Sequence, residues 1–509
     1  MRSLSIFVAA ILLATFSGTT MAQEESLNLT LKEALRIAVE KNLDVKAELY
    51  NPAAAEADIR KFRGIYDPLL SLLTNFQNSN TLPASTFLSG AQVNRQKTLK
   101  YNAEASQLIP SGGTVGLSFD NTWISNNSDP TRFTSKYYQS ALTLTLSQPL
   151  LQNFGRETTE LNISVAKYGK EGALEQFRNR LMDIISQVRT QYFQLHTLRE
   201  DLEVKKTSLA LAEKILNDTQ AQVKAGVLPA MEILNAEFGV ATRQKDLIDA
   251  ERALRDQTDV LRLLLQLPVQ GEIVPVDALS RERYQFDEAA EIQRAIAARP
   301  DLKQLQANLK ADELQARVAR NQTLPSLNLN ASTALTGLAG DYNRDLERVA
   351  STNFPIWGIG LQLTYPIGNH AAENDYIKSN LKVAQTRTQV RSLEESIAYD
   401  VKTAVRAIQS SYKQLEVTTR GRAYAEERLK AFIKRNQVGL ATTKDVLDVE
   451  NDLVTAKGNE IKALSDYSNA INQLWKATGE LLEREGIRVT EKEADALYER
   501  QSKNNGPMP

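Results

Sequence analysis

The chain has 509 residues, 42% hydrophobic and 24% charged, which suits several ordinary domains and excludes a helical multi-span membrane protein. Sixty-one Lys and Arg against 62 Asp and Glu give a formal net charge of −1, without the positive excess of a nucleic-acid binder, so no nucleic acid is expected as a partner. The chain has no cysteine and two histidines, His196 and His370. That removes disulfide frameworks, thiol nucleophiles, Cys-ligated zinc and His-rich metal centres, and no cofactor is expected.

Taken in chain order, residues 1–22 have the layout of a secretory signal peptide: Arg2, an apolar run from Leu4 to Phe16, and small residues at Thr20 and Ala22. A first helix is expected over about 31–66, ending just before Pro68. Between Pro68 and Pro149 the period changes to two, as in Leu142, Leu144 and Leu146 alternating with Thr143, Thr145 and Ser147. Strands are therefore expected within 69–149, long enough to cross a bilayer when tilted. Ile109-Pro110-Ser111-Gly112-Gly113 is a turn signal between two alternating runs. This half holds either four membrane strands or two strands and an external hairpin. A very long helix follows over 157–225, then the turn Gly226-Val227-Leu228 and a medium helix over 229–267.

A linker at 271–286 leads into the same series again: a helix over 287–324 up to Pro325, strands within 326–366 ending at Pro366, and a long helix over 371–438. The turn Gly439-Leu440-Ala441, a medium helix over 443–477 and a charged tail over 481–509 complete it. A shift of 257 residues superposes Ala38 on Ala295, Asp44 on Asp301 and Pro68 on Pro325, and a shift of 213 superposes Gly226 on Gly439 and Glu237 on Glu450. Collinear Pro and Gly landmarks argue for duplication, with repeats over 23–270 and 287–480. The long helices approach 100 Å at about 1.5 Å per residue. Such rods must pack lengthwise in a bundle, coiled coil or cylinder. The strands are too few to close a barrel from one chain, and an open edge in lipid leaves unpaired backbone groups. A membrane barrel here requires several copies. Aromatic residues near the strands, Trp123, Phe133, Tyr137, Tyr138, Phe354 and Trp357, fit either an interfacial girdle or loop packing.

The helix–Pro–strand junctions Asp67-Pro68 and Leu324-Pro325, the strand–Pro–helix junctions at Pro149 and Pro366, and the hairpin turns Val223–Gly226 and Gln437–Asp448 carry a resemblance to the TolC-type outer membrane efflux proteins over nearly all of the mature chain. The resemblance implies a mainly α fold with a membrane β-barrel part: a homotrimer whose strands share one barrel, continued by a periplasmic α-helical tunnel. It implies a passive exit duct in the cell outer membrane, in contact with outer membrane lipid. It also implies a periplasmic adaptor (membrane fusion) protein and an inner-membrane RND or ABC pump as partners. By this resemblance Gly226, Val227, Leu228, Gly439, Leu440 and Ala441 are adaptor-contact tips, and Asp445 and Asp448, with Glu232 as the first-half counterpart, form a periplasmic gate. TolC-type relatives often latch this gate with an Arg close after the turn glycine. Here Leu440-Ala441-Thr442-Thr443 occupies that stretch, leaving Lys444 or Arg435 as substitutes. The local alternative for Asp445 is a capping box with Thr442. No acid–base or nucleophilic set converges at specific spacing, so the chain is not expected to be an enzyme. The competing account is a periplasmic helical scaffold or adaptor whose strands never enter a membrane.

Overall fold

A computed structural model describes residues 27–83, 91–127, 135–268 and 272–504. The expected signal peptide and Phe133 lie outside these residues. The first half runs β1 (Leu27–Leu29), α1 (Leu31–Lys41), α2 (Leu43–Arg63), β2 (Leu69–Thr81), β3 (Asn94–Leu108), β4 (Thr114–Asn126), β5 (Lys136–Pro149), α3 (Arg156–Thr159), α4 (Leu161–Lys224) and α5 (Met231–Leu265). The second runs β6 (Ile273–Pro275), α6 (Glu288–Ala298), α7 (Pro300–Gln322), β7 (Ser326–Ala339), α8 (Tyr342–Ala350), β8 (Pro355–Thr364), α9 (His370–Gln437) and α10 (Thr443–Ala477), followed by α11 (Leu481–Arg484) and α12 (Glu491–Asn504). At about 1.5 Å per residue, the 64 residues of α4 and 68 of α9 make rods on the order of 100 Å.

The chain divides into two compact units, to both of which α4 and α9 contribute. One comprises Met1–Leu43, Ile184–Phe286 and Ala404–Leu474. Among the described residues its regular structure is helical apart from the short parallel pair β1·β6. Its buried side chains include Ile185, Tyr192, Leu195, Leu261, Ile408, Tyr467 and Leu474, which recur on helix faces at helical spacing. Val446, Val449 and Leu453 of α10 meet Leu429 of α9, with Leu211 and Ile215 of α4 against them. At Gly239 of α5 an added Cβ would lie 2.8 Å from Leu447 Cδ1, so the missing side chain is what admits α10 this closely.

The other unit comprises Asp44–Asp183, Asp287–Thr403 and Trp475–Pro509. It holds a six-stranded antiparallel sheet in the order β2-β3-β4-β5-β7-β8. All four strands from β2 to β5 belong to this one sheet, so Pro110–Gly113 turns a hairpin within it. The register sorts side chains by chemistry. One row crosses all six strands as Leu72, Ala103, Phe119, Leu142, Leu335 and Pro355. The neighbouring row on the same face is Leu70, Ala105, Leu117, Leu144, Thr333 and Trp357. The opposite face carries Asn102 with Asp120, Ser118 with Thr143, and Asn330 with Gly360. Period-2 alternation alone separates the faces, and unbroken register keeps them separate across every strand.

One sequence expectation needs correction, and the linker and the charged tail turn out to be packed in part. The helices expected as continuous over 31–66 and 287–324 are each broken, at Asn42 and at Arg299. These positions are related by the 257-residue shift and share one geometry. Asn42 has φ −57° and ψ 130°, Arg299 φ −59° and ψ 126°, and their N–H groups donate to Ala38 O and Ala295 O, both at 3.0 Å. Pro300 explains the second break, because its ring disfavours the helical conformation at the preceding residue. At the first, the Asn42 side-chain amide donates to Leu264 O at 2.9 Å instead. The linker 271–286 is not free chain. Its β6 pairs with β1, the Asp277 carboxylate accepts from Leu31 N–H at 2.5 Å and Tyr192 O–H at 2.7 Å, and Tyr284 N–H donates to Tyr467 Oη at 2.8 Å. The stretch 481–509 is not a solvated tail throughout. Ala494 of α12 is fully buried, Lys170 donates to Asp495 at 2.7 Å, and Arg60 lies over the Tyr498 ring at 4.7 Å.

Candidate functional site: the sheet, its two ends and the helix turns

At the helix-joined end of the sheet, the four prolines stand where strands meet helices. Pro149 is buried and still in register, opposite Asn328, whereas Pro68 and Pro366 are exposed. Beyond Pro149, Leu150 N–H donates to Leu327 O at 2.7 Å and Asn153 N–H to Asn321 Oδ1 at 2.7 Å, which binds the start of α3 to the end of α7. Tyr66 Oη donates to Glu160 at 3.1 Å and Gln107 to Tyr66 O at 2.9 Å, so the first-half junction is held in the same way. Gly112 has φ +89°, and a Cβ there would sit 2.4 Å from Asn153 O. The β3–β4 turn thus closes directly against the strand-to-helix crossing.

Farther along the sheet, toward the end remote from the helices, lies a feature that the sequence did not suggest. Tyr101, Asn121, Ser140 and Gly337 form one cross-strand row on the otherwise apolar face. Helix α8 lies over it. Ser140 Oγ donates to Asn121 Oδ1 at 2.8 Å and to the Asp345 carboxylate, and the Tyr342 ring packs against Tyr138 and Tyr101 at 5.4 and 6.3 Å between centroids. Asp345 is fully buried. A Cβ on Gly337 would stand 2.3 Å from Asp345 O, so glycine is what lets the helix reach the strand. Helix α8 covers this row and gives Ser140 a partner, while Asp345 Oδ1 has no hydrogen-bond partner among the described residues and Asn343, Arg344, Glu347 and Arg348 on the outer side of α8 are exposed. The helix signal was legible in hindsight: Asp341 caps α8 by accepting from Asn343 and Arg344 N–H, and Tyr342, Asp345, Leu346 and Val349 recur on one side.

Of the aromatic residues, Trp123 and Tyr138 are cross-strand partners on the apolar face, in line with Phe76 and Leu99, and Trp357 shares that face from β8. Tyr137, one residue from Tyr138, has the opposite parity and belongs to the polar face. Phe354 precedes β8, and its carbonyl accepts from Thr336 N–H at 3.2 Å.

The two helix turns are built alike. Gly226 and Gly439 both have φ +74°. Val227 N–H reaches back to Gln222 O at 2.9 Å, and Leu440 N–H to Arg435 O at 2.8 Å, the six-to-one bond of a Schellman cap. Val227 and Leu440 are each 70% exposed, while Leu228 and Ala441 are half-buried. Two large apolar side chains therefore project from the paired turns.

After the second turn, Asp445 is engaged locally. Its carboxylate accepts from Thr442 N–H and Oγ1, both at 2.8 Å, and its own N–H donates to Thr442 Oγ1 at 3.1 Å. These bonds, that from the Thr442 N–H foremost, hold its carboxyl below the usual range, with smaller help from the charges of Arg435 and Lys444. Asp448 is exposed. Among the described residues no hydrogen bond or ion pair joins Asp445 or Asp448 to Glu232, which is half-buried with Oε2 lacking a hydrogen-bond partner. Arg435 packs over Phe432 at 5.3 Å rather than pairing with either aspartate.

A buried ionic contact lies one turn beyond. Glu450 is 2% exposed; Arg243 of α5 donates to its Oε2 from Nη2 at 2.6 Å and from Nε at 3.1 Å, and Ser208 of α4 donates to Oε1. Arg243 also donates to Leu447 O at 3.0 Å, and the Glu450 carboxylate, held from α5 and α4, ties three helices. The signal was present: Glu450 interrupts the buried stripe of Val446, Leu447, Val449 and Leu453. A carboxylate at a core position of an amphipathic helix implies a partner.

The outer membrane efflux protein family model matches residues 34–265 and 292–480. Among similar proteins, the pyoverdine export outer membrane protein OpmQ of Pseudomonas aeruginosa is 25% identical over 301 residues, covering 58% of this chain and 61% of that protein. The outer membrane protein TolC of Escherichia coli is 24% identical over 385 residues, 74% of this chain and 75% of that one. The CmeC outer membrane channel of Campylobacter jejuni has the same fold at 15% identity, with a TM-score of 0.61 over 98% of this chain and 97% of that one. With the family match running through both halves and the fold shared with a solved channel, the chain belongs to the outer membrane efflux protein family, the TolC-type channels of the cell outer membrane that extend into the periplasm.

Proposed function

We propose that the chain is the passive exit duct of a tripartite efflux or type I secretion system, acting as a homotrimer with a periplasmic adaptor (membrane fusion) protein and an inner-membrane RND or ABC pump. One observation carries the proposal: a six-stranded sheet with largely apolar rows running across all six strands on one face and two unpaired edges, β2 and β8, that run antiparallel to each other. An even number of strands lets β8 of one copy pair with β2 of the next in the same antiparallel sense. Three copies then close an eighteen-stranded barrel with no edge left in lipid. The polar face of Asn102, Asp120, Thr143 and Asn330 lines water. A soluble scaffold would leave Leu70, Leu72, Ile359, Leu361 and Leu363 in water, each 67–75% exposed in one protomer. The purified protein is expected to need detergent and to run as a trimer by native mass spectrometry; a water-soluble monomer would sink the duct.

The tips and the gate belong to the same proposal. Val227 and Leu440, projecting beside Gly226 and Gly439, offer the adaptor an apolar contact, with Leu228 and Ala441 behind them. Gly439→Asp is expected to leave trimers and insertion intact yet abolish export; export at the normal rate would remove the site. Asp445 and Asp448, threefold repeated, with Glu232 as their first-half counterpart, make an acidic ring that admits cations and binds divalent ions at roughly millimolar concentration. Conductance in planar bilayers is expected to be cation-selective and blocked by divalents from the periplasmic side. If Asp445→Ala/Asp448→Ala leaves the block unchanged, these residues are helix caps alone.

A further inference from the structure

The end of the sheet remote from the helices carries a row of cations on its apolar face. Asn78, Lys97, Ser125 and Lys136 are successive cross-strand partners on β2, β3, β4 and β5. They share a face with Leu142 and Leu144, because Lys97 and Tyr101 on β3, and Lys136 and Tyr138 on β5, are separated by even steps. The next row toward the apolar band is Phe76, Leu99, Trp123 and Tyr138, the composition of an interfacial girdle. Arg95 extends the charge one step outward on β3. Lys97, Lys136 and Arg95 are exposed, and no ion pair with a described acidic residue holds any of them. Lys97 and Lys136 stand two strand spacings apart, about 9.6 Å at the backbone, with the Ser125 hydroxyl between them. Their stems are long enough to cover apolar surface and bring both ammonium groups to one anion.

We propose that Lys97, Ser125 and Lys136, flanked by Asn78 and Arg95, bind the phosphate of an outer-leaflet glycolipid headgroup. This rests on the outer-membrane placement of the channel. Solubility accounts for lysines on the water-facing side but gives no reason for two on the lipid side, one row above an aromatic band. A phosphate ester on a lipid supplies both needs, an anion for the ammonium groups and acyl chains for the leucine rows below. Helix α8, lying on the same face, walls the site on the side toward β7 through its contacts with Tyr138 and Ser140.

The test uses the full-length channel in detergent micelles, with retained lipid counted by native mass spectrometry on titration with diphosphoryl lipid A. Lys97→Gln/Lys136→Gln is expected to weaken retention roughly thirtyfold, two lysines each acting at the membrane surface. Lys100→Gln, on the same strand but the opposite face, is expected to retain it fully, and each variant is checked as a folded trimer by circular dichroism and mass. Dephosphorylated lipid A is expected to bind the native protein as weakly as diphosphoryl lipid A binds the double variant, and inorganic phosphate is expected not to compete. Equal retention by native protein and the double variant, equal retention of the dephosphorylated lipid, an equal loss in Lys100→Gln, or displacement by free phosphate would each overturn the site. A failure of the duct itself would appear separately, as a protein that forms no trimer and needs no detergent.

Discussion

Glu450 and Arg243 show what a single residue can decide here. A carboxylate and a guanidinium taken from water are stable only while each holds the other, so truncating one leaves an unpaired buried charge. Glu450→Ala is expected to destabilise the helical unit by about 3–5 kcal/mol. Glu450→Leu/Arg243→Met, which removes both charges together, is expected to recover most of that; the midpoint of helical unfolding in denaturant reports both. Asp445 acts differently because its bonds are local and exposed. Its folded pKa lies below the ordinary value, so its contribution to the cap is present above the unfolded carboxylate pKa and disappears as pH falls through the folded one. Amide exchange at the start of α10 is therefore expected to accelerate only under strongly acidic conditions, and Thr442→Ala to reproduce that acceleration at neutral pH.

Among the elements, α8 is the one whose place depends on a neighbour having no side chain. The backbone oxygen of Asp345 occupies the volume where a residue-337 Cβ would stand. Backbone cannot swing aside as a side-chain tip can, so Gly337→Ala is expected to lift α8 from the sheet. Limited trypsin digestion is expected to cut faster at Arg344 and Arg348 in that variant, with the strands still protected; an unchanged digestion pattern would show that the contact is slack. The paired turns follow a simpler rule. Gly226 and Gly439 adopt a positive φ that costs other L-residues about 1–2 kcal/mol. The shared cap is legible in the sequence because glycine is the residue that fits it. The breaks at Asn42 and Arg299 were only half legible. Pro300 announces one, while Asn42 breaks its helix through a tertiary bond to Leu264 O that no local pattern reveals.

For the whole molecule, the open edges decide assembly. The chain contains no cysteine, so introduced cysteines report unambiguously. Ser71→Cys on β2, combined in turn with Gly358→Cys, Gly360→Cys or Gln362→Cys on β8, is expected to give a covalent trimer under oxidation at one register. No cross-link in any combination would argue against β2–β8 closure between copies. In the proposed assembly the exposed leucine and isoleucine of the sheet face lipid, and the edges meet neighbouring copies.

Periodicity by itself determined the kinds of element and their order. Alternation of Leu with Thr and Ser can only be satisfied by a two-sided strand, and long stretches without Gly or Pro at helical spacing only by rods. The turn glycines and junction prolines were likewise local, because backbone conformation limits which residues fit. Tertiary structure alone decided the rest. Whether four first-half strands shared one sheet depended on long-range pairing, which alternation permits but does not select. The burial of Glu450 and of the Asn121–Ser140–Asp345 cluster depended on partners distant in sequence. A polar residue on an apolar face has the same sequence signature whether it meets water, a helix or a lipid phosphate, and only the arrangement of its neighbours distinguishes them.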